Sequence, residues 1–135
     1  LRASSIPAHL LRPHLPPGFV LGRSVHDAGE AVRVAKAGGL DYLTLGTMFP
    51  SVSHPGGRVC GLEALEAAAH SLTLPILAIG GVTADKLETL FGAGAAGVAA
   101  IGMFSDPGPE GKFDGLGSVV SGIRRTFMEC HVQRN

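Results

Sequence analysis

The chain has 135 residues, 45% hydrophobic and 16% charged, which bounds it to one domain with a packed core and argues against disorder. Eleven basic residues balance eleven acidic ones, so no charge excess is left to track a nucleic-acid backbone or hold a membrane surface. With one Tyr and no Trp, base-stacking platforms are scarce, and the apolar runs break at Gly or Pro well short of the ~20 residues of a membrane span.

Pro7 is placed to open a short helix, Pro7–Leu15, ahead of the first strand. Phe19–Leu21 reads as that strand, ending at Gly22. Asp27, with Glu30 three residues on, reads as an N-cap close to a capping box. Its helix runs through Ala31, Val32 and Ala35 to a glycine stop at Gly38 and Gly39. Tyr42–Leu45 is a second strand, closed by Gly46, and a helix follows from Leu62 through Leu65 and Ala69 to Leu72. Pro75–Ile79 is a third strand, ending in Gly80 and Gly81. Thr83 then caps a helix through Leu87 and Leu90 to Gly92 or Gly94. Gly97–Ile101 is the fourth strand, with Gly102 at its end. A last helix sets Leu116, Val119, Val120, Ile123 and Phe127 on one stripe.

None of these strands alternates strictly with polar residues, the pattern of parallel strands covered on both faces. Helices and strands alternate, with crossovers long enough for parallel pairing. Two α/β architectures meet that order: an open doubly wound sheet, or part of a barrel. Spacing alone does not choose between them.

The motifs do. Ala78-Ile79-Gly80-Gly81-Val82-Thr83 is a strand opening through paired glycines into a capped helix, where amide N–H groups and a helix start can meet an anion. Gly97 to Gly102 repeats a strand end about twenty residues later, and in a barrel the loops after the last two strands form the usual phosphate cradle. A plain tight turn is the bland reading of either glycine motif taken singly. The loop Gly46 to Gly57 carries Ser51, Ser53 and His54 between prolines and glycines, residue types suited to a phosphate or diphosphate. Gly22-Arg23-Ser24-Val25-His26 offers an Arg and a Ser to an anion just past a strand.

Other polar groups carry less. His9, His14, His70 and His131 fit no metal-ligand spacing, and no Cys, His and acid grouping suggests a covalent triad. Cys60 and Cys130 are not closely spaced and read as reduced thiols of a cytosolic protein.

Taken in order, GRSVH with a following EA, then DYLTLGTMFPSVSHPGG, PILAIGGVTADKL and AGAAGVAAIGMF resemble the C-terminal half of thiamine-phosphate synthase and of the related thiazole tautomerases. The resemblance covers roughly Leu1 to Phe104, with LRASSIP similar to the segment just after the family's fourth strand. It implies an α/β fold in which four βα units form the C-terminal half of a (β/α)8 TIM barrel. Residues 1–135 are then a single partial domain.

The activity implied is a transferase reaction of thiamine biosynthesis. Hydroxymethylpyrimidine diphosphate is joined to thiazole phosphate, with magnesium present and diphosphate released. Thiazole tautomerisation, or a non-catalytic phosphate-binding or regulatory role, is the alternative. By resemblance, Ser51, Val52 and Ser53 match the contact with thiazole phosphate, and Gly81, Ile101 and Gly102 match the phosphate cradle. Ser24 and His54 match positions on the diphosphate side, His54 standing where the family usually has lysine. The family often has serine at the position of Gly102, and the tautomerases have histidine where this chain has Thr47. The Mg2+ ligands lie on the family's N-terminal half, so no metal ligand is expected here. A half-barrel leaves its sheet edges unpaired, so an oligomer or pairing with a missing N-terminal half is expected, in the cytoplasm, with small phosphorylated substrates as ligands.

Overall fold

Pro7 precedes a single α-helical turn, Ala8–Leu11 (α1), which tightens into a 3-10 turn at Arg12–His14. The computed structural model describes residues 1–50, 56–105 and 115–132. After the 3-10 turn come β1 (Gly22–Val25), α2 (Ala28–Ala37), β2 (Tyr42–Leu45), α3 (Gly61–Ser71) and β3 (Ile76–Ile79). A second 3-10 turn, Ala84–Lys86, leads into α4 (Leu87–Gly92). The order closes with β4 (Gly97–Ala99), α5 (Ile101–Ser105) and α6 (Leu116–Val132).

The strands pair in parallel and strictly in chain order, β1-β2-β3-β4. An order that runs straight, without a reversal in mid-sheet, is that of consecutive barrel strands. Period-two alternation sends Val25, Leu43, Leu45, Ile76 and Ala78 to one face. There they are buried with Ala31, Leu65, Ala68, Leu90 and Phe91 of the helices. The opposite face carries Ser24, Tyr42, Thr44, Leu77 and Ile79, none fully buried, and Ile79 is 37% exposed. In a closed barrel this is the face that turns inward.

β1 sits three residues later than the apolar run suggested. Phe19 and Val20 are 46% and 66% exposed, and the strand is the polar stretch Gly22-Arg23-Ser24-Val25. Gly22 therefore opens a strand instead of ending one. The reason for glycine is the Tyr42 ring, whose Cζ would lie 2.1 Å from any Cβ at that position. Arg23 is buried on the helix-covered face, its guanidinium donating to the Ala3 carbonyl at 2.8 Å and more weakly to that of Ile6. It is spent on the N-terminal segment and does not meet a ligand at the sheet's end. Beyond β1 the chain itself supplies a neighbour: the Leu1 amino group donates to the Gly22 carbonyl at 2.6 Å, and the Ser24 N–H donates to the Leu1 carbonyl at 2.9 Å. That alternation is the bonding of a parallel ladder.

The helix ends follow local chemistry. Asp27 accepts from the Glu30 N–H at 2.7 Å, while the Glu30 carboxylate accepts from the His26 N–H at 2.8 Å, a reciprocal cap shifted by one residue from the usual box. Thr83 precedes the 3-10 turn with extended backbone but makes no side-chain bond to the helix start. Its hydroxyl instead donates to Asp85, which holds that carboxyl below its ordinary value. Gly102 lies inside α5, because β4 stops at Ala99 and the chain coils at once.

At the opposite end of the strands, Arg12 donates to the carbonyls of Gly39 and Phe19 and pairs with Asp41. The Arg12 hydrogen bond, then the Leu21 N–H, lowers the Asp41 carboxyl from 3.8. A lowered folded value means the contribution is present above the ordinary carboxylate range and is lost as pH falls through the lowered value. Asp41→Asn should therefore flatten the acid limb of the stability profile below about pH 4 while changing the neutral limb little. Urea midpoints collected across a pH series check this. Parallel profiles for parent and variant would remove the clamp from the account.

Candidate functional site

The C-terminal ends of β2 and β3 are joined beyond the strands themselves. Met48 N–H donates to the Ile79 carbonyl at 2.9 Å and Phe49 N–H to the Gly80 carbonyl at 3.0 Å, so the segment after β2 keeps pairing along the glycine turn. Cys60 closes the loop at its far end. Its N–H donates to the Thr47 carbonyl at 2.8 Å, and its thiol reaches the same carbonyl. Burial raises the Cys60 thiol above its ordinary value, so it is a packing thiol here, and both Cys60 and Cys130 are free.

Gly80 and Gly81 are both at positive φ, 94° and 64°. The close approach they permit is to the neighbouring loop's backbone. A Cβ on Gly81 would lie 2.5 Å from the Phe49 carbonyl oxygen and 2.7 Å from that of Pro50. Pro50 thus rests on Gly81, and the next residue is Ser51. The segment Ser51, Val52, Ser53 and His54 lies outside the described residues.

Peptide geometry orients the turn's donors. The Gly80 carbonyl faces Phe49 and the Gly81 carbonyl accepts from Lys86 Nζ at 3.0 Å. In a trans peptide the N–H points opposite to its carbonyl, so the Gly81 and Val82 N–H groups turn away from these partners. Among the described residues, neither donates to a backbone carbonyl. Ile101 and Gly102 start α5 just after β4, whose Ala99 is in register with Ile79 of β3. Ile101 is 75% exposed, and a Cβ on Gly102 would meet nothing among the described residues.

Ser24 lies on the uncovered sheet face, its hydroxyl 3.0 Å from that of Thr44. Two residues on, His26 bonds through Nδ1 to the Gly46 carbonyl at 2.8 Å, which ties the end of β1 to the start of the β2 loop. The sheet thus brings Gly81, Ile101 and Gly102 to one end and Ser24 to the adjoining inner face.

Sequence reasoning missed Lys86. Its ammonium stands over the Phe49 ring at 4.6 Å from the centroid as well as on Gly81. A lysine five residues past a double glycine was the available signal. The ring it meets is visible only in three dimensions.

Magnesium has no seat among these residues. Among the described residues no group of three His, Cys, Asp or Glu converges, and Asp27, Glu30 and Asp41 are held by the contacts given above. Among the described residues, no helix is long and apolar enough to cross a membrane.

Residues 1–104 match the sequence profile of the family described as thiamine monophosphate synthase. A thiamine-phosphate synthase of Methanoculleus marisnigri is 42% identical over 102 residues, covering 75% of this chain and 48% of the relative. One from Coprothermobacter proteolyticus is 35% identical over 101 residues, covering 75% and 47%. In structure, the thiamine phosphate pyrophosphorylase of Pyrococcus furiosus superposes with a TM-score of 0.73 at 26% identity, over 96% of this chain and 58% of that one. The chain spans about half the length of these two synthases.

Proposed function

The chain belongs to the thiamine monophosphate synthase family, and from that membership we propose that it carries the thiazole-phosphate side of the synthase site. In this reading the thiazole nitrogen attacks the methylene carbon of hydroxymethylpyrimidine diphosphate. A carbon–nitrogen bond forms, the carbon–oxygen bond to diphosphate breaks, and diphosphate leaves. No side chain of this chain is needed as nucleophile. Gly81 and the start of α5 at Ile101–Gly102 offer backbone donors to the thiazole phosphate, and Ser51, Val52 and Ser53 are assigned to the same group. Ser24 and His54 are assigned to the diphosphate side. Magnesium, bound by residues outside this chain, would stabilise the departing diphosphate.

The observation that carries this reading is the seat of Phe49 and Pro50 on Gly81, which brings the segment after β2 against the glycine turn at one end of the sheet. Thr47 offers no acid or base for tautomerisation, which favours the transferase.

The whole site needs further units. We take the four βα units as a partial domain, and the sheet face left open among the described residues supports completion by four more. The partner is an N-terminal half-barrel or an equivalent subunit, and the reaction is placed in the cytoplasm. Calorimetric titration of thiazole phosphate into the completed barrel is the test. Saturable binding is expected, and its absence would refute the assignment.

A further inference from the structure

The ladder between β1 and β2 ends on a side chain instead of a backbone rung. Gly46 N–H donates to the Val25 carbonyl at 3.2 Å, and in a parallel ladder the Gly46 carbonyl would next accept from the N–H of residue 27. Asp27 has left the strand to cap α2. The His26 ring takes that place, with Nδ1 2.8 Å from the Gly46 carbonyl oxygen.

This bond fixes the imidazole. A carbonyl oxygen only accepts, so Nδ1 carries the proton, and in the neutral ring Nε2 is then a bare acceptor. The main chain is held as well, because the His26 N–H donates to the Glu30 carboxylate at 2.8 Å. Among the described residues Nε2 takes no hydrogen bond, and His26 is exposed at the C-terminal end of the sheet.

The strands set its place relative to the glycine turn. Gly46 lies against β3, where a Cβ on it would run into the Ile79 carbonyl, and Ile79 leads directly into Gly80 and Gly81. His26 is thus two strands from the turn, about 10 Å at the usual spacing. That is comparable with the length of a phosphorylated five-membered ring and its tether. A phosphate held at Gly81 would therefore bring the ring's far end towards Nε2. The transferase step moves no proton, so it leaves this nitrogen without a task.

We propose that His26 is the catalytic acid–base residue of a second activity on this seat, the tautomerisation of a thiazole phosphate. The proposal rests on the phosphate-binding reading above. Nε2 takes a proton from a saturated carbon of the non-aromatic ring. The electron pair of that C–H bond enters the ring, which becomes aromatic. The exocyclic double bond then takes up the proton that the imidazolium returns. Hydrogen count and charge are unchanged, so the step needs no oxidant and no second reactant.

The experiment follows the ultraviolet absorbance of the non-aromatic tautomer as the completed barrel converts it, beside calorimetric binding of thiazole phosphate, for parent and His26→Asn. Asparagine can place its amide nitrogen where Nδ1 stands, which keeps the link to Gly46 and removes the base. His26→Asn should slow conversion by about a hundredfold or more and keep thiazole phosphate affinity within about threefold. Conversion by His26→Asn at a rate within about threefold of the parent would overturn the proposal and leave the ring a cap on β2. If His26→Asn loses affinity as well, His26→Gln is judged on the same two readings. A parent that binds thiazole phosphate but leaves the tautomer unconverted refutes the acid–base role while the phosphate seat stands. A parent that binds no thiazole phosphate refutes both.

Discussion

Phe91→Ala should lower the unfolding free energy by about 3–5 kcal/mol, the usual range for removing a fully buried ring. Phe91 has no exposed surface and lies on α4, where α6 rests. Its ring meets Phe127 edge-on, with centroids 5.2 Å apart and planes at 83°. That geometry aligns a positive ring edge with a negative face, adding about 0.5–1.5 kcal/mol to the burial itself. The short α4 leaves little else to fill the gap, so the cavity should collapse poorly. Urea denaturation reads the change as a lower midpoint at unchanged slope. A shift under about 1 kcal/mol would mean that α6 does not depend on this contact.

Gly81→Val should do comparable damage by another route. The residue is at φ 64°, where a β-branched side chain is strained by roughly 1–2 kcal/mol. Its Cβ would also lie within 2.7 Å of two carbonyl oxygens, those of Phe49 and Pro50. Neither is the end of a flexible side chain, so the loop backbone must move. A total destabilisation of about 2–4 kcal/mol is expected, together with loss of ligand affinity. Gly102→Ser is the contrast, because its Cβ enters open space among the described residues. It should stay within about 0.5 kcal/mol of the parent. Denaturation of the two variants side by side decides the matter. If both behave like the parent, the tight seat of Pro50 on the turn is wrong.

Much of the architecture was legible because parallel strands announce themselves as short apolar runs. Tyr42–Leu45 matched β2 residue for residue, Pro75–Ile79 contained β3, and Gly97–Ile101 contained β4. β1 was misplaced for a physical reason. Arg23 and Ser24 look like loop residues until the carbonyls of Ala3 and Ile6 come round to accept from the terminal guanidinium nitrogens of Arg23. That compensation is tertiary and leaves no local mark. The glycine turn at Gly80 and Gly81 was readable, and its helix stripe at Leu87 and Leu90 was too. What the glycines make room for was not, since Phe49 and Pro50 arrive from the preceding crossover. Lys86 escaped for the same reason. At Gly102 the strand-ending role failed because the chain coils immediately after Ala99, where no buried partner prolongs the strand.

The central claim is that thiazole phosphate seats on the turn after β3 and the start of α5 after β4. Residue-resolved amide shifts during a thiazole phosphate titration of the completed barrel test it most directly. The N–H signals of Gly81, Val82 and Gly102 should move together and saturate at one ligand concentration, since among the described residues those donors lack backbone carbonyl partners or lie at a helix start. Amides at the far end of the strands, such as Leu21 beside Asp41, should stay in place. Saturating shifts confined to residues away from Gly81, Val82 and Gly102 would contradict the account.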